Sequence, residues 1–177
     1  MKLIAIICLI GTVISAVSYV ITSYDSLLTV AIVFGTIAYH LLVRLLISFV
    51  FNKLMKNKAN LNNSWYKVGK LEMSFYKKLK VKKWKDKMPT YEGELFDPKK
   101  HTWDEIAQAM CQAELIHETN VILSFLPVLA GIWFGSYSVF IITSICAAIF
   151  DMIFVVIQRY NRQRIMNIIS HFACRQP

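Results

Sequence analysis

The sequence has little charge for its length, and most of that charge is positive. Only 18% of the 177 residues are Asp, Glu, Lys or Arg, whereas soluble domains carry about 25%. The 11 acidic residues are outnumbered by 20 basic ones, which leaves a net charge of +9. This composition disfavours a soluble globular domain and favours a membrane protein.

Cysteine and the common catalytic motifs are also scarce. The four cysteines, Cys8, Cys111, Cys146 and Cys174, are far apart and form no Cys-x-x-Cys pair. A disulfide framework or a zinc site is therefore not expected. The chain has no Gly-rich phosphate loop, Gly-x-Ser-x-Gly elbow, His-Glu-x-x-His motif or His-x4-Asp motif, so the corresponding chemistries are disfavoured.

Apolar runs, in contrast, are long and numerous. A helix needs about 20 apolar residues to cross a hydrocarbon core about 30 Å thick. The runs at 3–22, 27–51 and 137–158 meet this length. The run at 119–135 is shorter and contains a proline, so we expect it to start earlier, to kink or to re-enter the membrane. The run at 3–22 is too long for a typical signal peptide, and a retained span is favoured.

Nearly all of the positive charge lies in three segments: Lys2, 52–118 and the C-terminal tail. Fourteen of the Lys and Arg residues lie in 52–118 and four follow residue 158, whereas the connections 23–26 and 135–136 have none. Under the positive-inside rule, four spans place the basic segments and both termini in the cytoplasm. The sequence therefore predicts a single membrane domain over 1–177, with four transmembrane helices in two hairpins and a basic tail over 159–177. Two spans plus a re-entrant element are the alternative.

The basic segment contains a second helical pattern. From 63 to 83, apolar residues recur at helical spacing and lysines fill most of the other positions. The apolar set is Trp65, Val68, Leu71, Phe75 and Leu79. This pattern predicts a cytoplasmic amphipathic helix in the membrane interface, between spans two and three. Its apolar flanks favour anionic lipid headgroups, and not nucleic acid, as partners of the lysines.

A further helix carries a candidate general base. Thr102 and Glu105 in "TWDE" fit a capping box, and the helix would continue through Glu114, His117 and Glu118. Residues three or four apart share a helix face, so a carboxylate could orient His117 and raise its basicity. The alternative is a polar helix end with His117 as an interfacial anchor. Glu-x-x-His is also half of a di-metal site, but no second copy exists, so no metal is expected.

Two more polar features accompany the spans. "QRYNRQR" follows the fourth run, and Arg159, Arg162 and Arg164, with Asn161, could hold a phosphate or carboxylate. An ordinary basic stop signal is the alternative. Within the spans, Arg44 and Asp151 lie at similar depth and could form an ion pair, mainly with a structural role; a role in lining the substrate site is the alternative.

Several of these blocks together resemble a known family. "WYKVGKLEMSFYKKLKVKKWKDKMP", "CQAELIHE", a proline-containing apolar run and "VVIQRYNRQR", over about residues 63–164, are similar to the glycosyl-4,4′-diaponeurosporenoate acyltransferase family. Gln112, Glu118 and Gln163 depart from the family's pattern. The resemblance implies a bacterial plasma-membrane enzyme that adds a fatty acyl chain to a glycosylated carotenoid.

The resemblance also implies a shared site. It adds Trp84 and Asp86 to the candidates above, as substrate-binding residues together with Glu118. His117, oriented by Glu114, would be the general base. No bound cofactor is expected; acyl-CoA, acyl-carrier protein or a phospholipid would be the acyl donor and a glycolipid the acceptor.

The sequence leaves other questions about function open. The rival to an enzyme is a non-enzymatic membrane protein that binds lipid or scaffolds a biosynthetic complex. Membrane lipids are partners under both hypotheses. Neither a homo-oligomer nor an assembly with other biosynthetic enzymes is selected by the sequence.

Overall fold

The computed structural model describes residues 1–84 and 93–173, and the regular structure among them is entirely helical. Its α-helices are α1 (Lys2–Thr22), α2 (Asp25–Met55), α3 (Lys70–Lys78), α4 (Trp103–Leu123), α5 (Pro127–Phe134) and α6 (Tyr137–Ala173). Short 3-10 helices cover Ser64–Tyr66, Val81–Lys83 and Gly93–Phe96.

Four stretches of the described chain are long and apolar enough to cross a membrane. They are Lys2–Thr22, Asp25–Met55, Trp103–Phe134 and Tyr137–His171. The prediction of an all-α protein with four candidate membrane helices is therefore confirmed. The arrangement in two hairpins and the boundaries of the spans stay predictions.

The third stretch contains a break between α4 and α5. α4 ends at Leu123, a turn follows, and α5 begins at Pro127. Pro127 has no N–H to donate to a continuing helix. The hydroxyl of Ser124 donates to the carbonyl of Asn120 at 2.7 Å, which satisfies one carbonyl near the end of α4. The helix is thus interrupted before Pro127, and the predicted span over 119–135, kinked or re-entrant, stays a prediction.

The amphipathic helix predicted over 63–83 is wrong in its extent. Only Lys70–Lys78 is α-helical, after the extended Gly69 and before Lys80, whose φ of 55° is left-handed. Tyr66 and Val81, on either side of α3, are buried. Tyr66 and Val81 are buried where the chain is no longer α-helical, at the two ends of α3. The burial of these side chains therefore outweighs the helical periodicity of the sequence. The interfacial position of α3 stays a prediction.

The chain divides into two compact units, of which the first comprises 1–50 and 119–151. In it, Arg44 donates from Nε and Nη2 to Oδ2 of the fully buried Asp151, at 2.9 and 2.7 Å. Arg44 also donates to the carbonyl of Ala147 at 3.2 Å. The predicted pair is confirmed, and its contacts are those of a structural link between α2 and α6.

The second unit comprises 51–118 and 152–177. One cluster of its buried side chains joins α3 and the following turn to α6, through Tyr76, Val81, Ile157 and Tyr160. Another joins α4 to α6, through Ile106, Ala107, Met110 and Ile165. The capping box predicted at the start of α4 is confirmed: the Thr102 N–H donates to Glu105 at 2.8 Å, and the Glu105 N–H donates to Thr102 at 3.3 Å.

Candidate active site

Glu114 lies at the centre of the polar residues in the second unit. Its side chain has no exposed surface. Arg159 Nη1 donates to its Oε1 at 2.7 Å, and Arg162 Nη1 donates to its Oε2. Arg162 is itself only 2% exposed. A buried carboxylate is tolerated when it is paired in this way, so Glu114 fastens α4 to α6 through two guanidinium groups.

The same two arginines hold the segment before α3. Arg159 lies within hydrogen-bond distance of the carbonyls of Trp65 and Lys67, at 3.3 and 3.5 Å. Arg162 donates to the carbonyl of Tyr66 at 2.7 Å, and its guanidinium lies 5.0 Å from the centre of the Tyr66 ring. A planar guanidinium can serve several acceptors at once. Three successive carbonyls are therefore bound by two side chains of α6.

Glu72 of α3 joins this network from the other side. Arg159 Nε donates to Glu72 Oε1 at 2.7 Å, and the Tyr76 hydroxyl donates to the same oxygen at 2.5 Å. Burial alone raises the pKa of Glu72, but the bonds from Arg159 and Tyr76 outweigh it and leave the pKa below its ordinary value. Burial and the bond to Glu72 raise the pKa of the Tyr76 hydroxyl. Glu72 is thus held as a carboxylate and Tyr76 as a neutral phenol.

Glu118 adds a third carboxylate to the network. Trp65 Nε1 donates to Glu118 Oε2 at 2.9 Å, and Glu118 Oε1 lies 3.8 Å from Arg159 Nη1. Glu72, Glu114 and Glu118 therefore share two guanidinium groups. In the structure the two arginines donate to protein acceptors, and Glu118 accepts from a protein donor. The predicted roles of Arg159, Arg162 and Glu118 in binding substrate stay predictions.

His117 lies one turn beyond Glu114 on α4. Its half-buried ring stacks on Phe154 of α6, with centroids 4.7 Å apart and planes 10° from parallel. This contact fixes the plane of the imidazole. A carboxylate has about four lone-pair sites on its two oxygens, so Glu114 can accept from an imidazole while both arginines are bound. The role of His117 as general base, oriented by Glu114, stays a prediction.

The other predicted site residues have different surroundings. Trp84 is half-buried and packs on the cluster around Tyr76 and Val81. Asn161 is half-buried, and Arg164 is exposed with its guanidinium 5.8 Å from the ring of Tyr160. Asp86 lies outside the described residues. Within residues 1–84 and 93–173, no group of His, Cys, Asp and Glu side chains is arranged to hold a metal ion.

Glu72 is a residue of the network that was missed from the sequence. Glu72 could have been found, because it is the one acidic residue in a helix otherwise rich in lysine. Gln112 lies outside this network, and its contacts had no signal in the sequence: its amide donates to Asn52 Oδ1 at 2.6 Å, and its carbonyl accepts from the Asn57 N–H at 2.8 Å. It thus holds the turn after α2, where Asn57 has a φ of 57°.

Similarity to a known protein family indicates the function of this arrangement. The sequence profile of the family described as glycosyl-4,4′-diaponeurosporenoate acyltransferase matches residues 62–171. The matched region contains the whole ion-pair network and His117. No curated protein and no solved structure matches the chain at a significant level.

Proposed function

The chain belongs to the glycosyl-4,4′-diaponeurosporenoate acyltransferase family and is an acyltransferase, and we propose that it esterifies a hydroxyl of a glycosylated lipid with a fatty acyl chain. The acceptor would be a carotenoid glycoside or another glycolipid. The observation that carries this proposal is the family match over residues 62–171. It favours an enzyme over the scaffold hypothesis.

The proposed reaction uses His117 as the proton carrier. A sugar hydroxyl oxygen attacks the carbonyl carbon of the acyl donor while His117 accepts the hydroxyl proton. The bond between that carbon and the donor's sulfur or oxygen then breaks, and the imidazolium returns the proton to this leaving group. The neighbouring Glu114 would stabilise the imidazolium, and the contact with Phe154 would keep the ring in position.

The network around Glu114 supports this role by making the site rigid. A catalytic group must be held within a fraction of an ångström of its productive position. Glu114, Arg159 and Arg162 connect the helix carrying His117 to α6, and Arg162 connects α6 to Tyr66, by bonds between buried or half-buried groups. We assign these arginines a positioning role, because their donors are already directed at protein oxygens.

The exposed apolar side chains of α3 support a membrane-facing site. Leu71 is 88% exposed and Phe75 is 57% exposed. Such side chains are stable at the boundary between headgroups and acyl chains. In the proposed arrangement α3 lies on the cytoplasmic leaflet of a bacterial plasma membrane, with both termini in the cytoplasm. An acyl chain would then reach His117 laterally from the bilayer.

Acyl transfer by the purified protein tests the proposed function. The full chain in detergent is given radiolabelled acyl-CoA, acyl-carrier protein or phospholipid, with a glycosyl carotenoid or a glycosyl diacylglycerol as acceptor. We expect labelled acceptor with one of these pairs. Loss of a general base typically costs a factor of about 10²–10⁴, so His117→Ala and His117→Gln should both reduce kcat on this scale.

A matched histidine serves as the control. His101 precedes α4 and forms a long contact of 3.8 Å with Glu105, so His101→Ala should transfer at the wild-type rate. Folding of each variant is checked by gel filtration and circular dichroism. Transfer at the wild-type rate by folded His117→Ala would refute the assigned base, and no transfer with any pair would refute the proposed substrates.

A further inference from the structure

A cleft of about 520 Å³ lies in the second unit between α3 and α6. Pockets for small ligands and cofactors typically range from about 300 to 1,000 Å³. The polar side chains of its two walls are Lys70, Ser74 and Lys77 on α3, and Gln163, Arg164 and Asn167 on α6. Its apolar surface comes from Val68, Met73 and Tyr160. The cleft is thus large enough for part of a substrate and has both polar and apolar surfaces.

The charge of the cleft has one sign. Lys70, Lys77 and Arg164 line it, and no lining residue is acidic. Among the described residues, none of these three cations forms an ion pair with a carboxylate, whereas Arg159 and Arg162 on the same helix do. Three cations around a concave surface produce a positive potential that an anion would neutralise.

The beginning of α3 adds hydrogen-bond donors to the same cleft. Gly69, a lining residue, is the N-cap of α3; its own N–H donates to the Glu72 carboxylate, whereas it has no side chain with which to cap the N–H groups that follow. The first N–H groups of a helix have no acceptor within the helix and favour anions. Together with Lys70 and Ser74, they form a set of donors suited to the tetrahedral oxygens of a phosphate.

We propose that this cleft binds the phosphate group of the acyl donor. The inference rests on the proposed function and extends it, because each phosphate-bearing donor considered above places an anion at some distance from the reacting carbonyl. The phosphate could belong to coenzyme A or to a phospholipid headgroup. The sequence predicted phosphate binding by Arg159, Arg162 and Arg164 together. In this proposal only Arg164 binds the phosphate, and Arg159 and Arg162 connect the helices to one another.

Equilibrium binding to the full-length protein tests this proposal without requiring catalysis. The protein is held in dodecyl maltoside micelles, which contain no phosphate, and is titrated in separate arms with coenzyme A and with phosphatidylglycerol. Charge-assisted hydrogen bonds are strong enough that Lys70→Gln, Lys77→Gln and Arg164→Gln should each weaken binding about tenfold. Lys78→Gln, which removes an exposed lysine of α3 outside the cleft, should bind like the wild type.

The two arms separate the sources of the phosphate. Binding of coenzyme A that is lost in the cleft variants assigns a thioester donor, and the same result with phosphatidylglycerol assigns a phospholipid. Unchanged binding in all three folded variants, or binding in neither arm, would overturn the proposal. His117→Ala should bind the same probe with wild-type affinity while losing transfer. Retained transfer in His117→Ala would refute the general base and leave the cleft intact.

Discussion

Glu114 and Arg162 form an ion pair between side chains that are 0% and 2% exposed, across 48 residues of sequence. Arg159 completes the pair from the other carboxylate oxygen. Two charged groups withdrawn from water in this way strongly destabilise a protein when one of them is left alone. The position of α4, and with it that of His117, therefore depends on these ion pairs with α6.

Replacing Glu114 should lower the free energy of unfolding by more than the loss of a single hydrogen bond would. Glu114→Gln leaves two guanidinium groups without their carboxylate, and breaking a buried pair costs about 3–5 kcal/mol. Thermal or denaturant unfolding in detergent measures this loss. Glu94→Gln is the control, because Glu94 is 84% exposed and pairs only at the surface with Lys100; it should cost under about 1 kcal/mol. Equal losses in both variants would contradict the expectation.

The pair in the first unit should show strong coupling. Arg44→Leu leaves the fully buried Asp151 without its guanidinium, and we expect a loss of about 3–5 kcal/mol. Asp151→Leu should cost a similar amount for the same reason. The double variant Arg44→Leu/Asp151→Leu should be more stable than either single variant, because it leaves neither charge unpaired. A double-mutant cycle in detergent measures the coupling, and additive losses would argue against the pair.

Acid should weaken the attachment of α3 to α6 through Glu72. Since the pKa of Glu72 is lowered in the folded protein from 4.5, its contribution is fully present above that value and is lost as the pH falls through the lowered pKa. Stability measured between about pH 7 and pH 3 should therefore decline less steeply in Glu72→Gln. Tyr76→Phe, which removes one bond to the carboxylate, should give an intermediate slope. Parallel curves for all three proteins would contradict this assignment.

A glycine in α5 should resist even the smallest substitution. A Cβ on Gly131 would lie 2.5 Å from two ring carbons of Tyr137, which is too close for any side chain. Gly131→Ala should cost about 1–3 kcal/mol by overpacking, and Gly131→Ala/Tyr137→Leu should recover much of this loss. Gly35→Ala in α2 is the control, since its nearest contact is an ordinary 3.4 Å to Thr12, and it should be neutral or stabilising.

Several features of the fold could be predicted from the sequence, because a bilayer sets the length of a membrane helix and disfavours unpaired charges within it. Apolar length predicted three of the four candidate membrane helices directly, and the charged residues Arg44 and Asp151 within them predicted each other as partners. The start of α4 was predicted by a local capping rule. Each of these inferences rests on one strong constraint that few other contacts could override.

The segment before α4 shows where such rules fail. The helical spacing of Leu71 and Phe75 was real, yet these residues are exposed, whereas Tyr66, Tyr76 and Val81 form the buried contacts. Burial there depends on α6, which lies far along the chain. The same limit applies to the arginines: their spacing could not reveal that Arg159 and Arg162 bind Glu114, or that Arg164 lines a cleft.

The bonds from Arg162 to Tyr66 and from Arg159 to Lys67 join residues that are translated 96 and 92 positions apart. During synthesis, the carbonyls of Tyr66 and Lys67 can accept these bonds only after Arg159 and Arg162 have left the ribosome. The contacts that hold residues 65–67 can therefore form only after α6 has been synthesised.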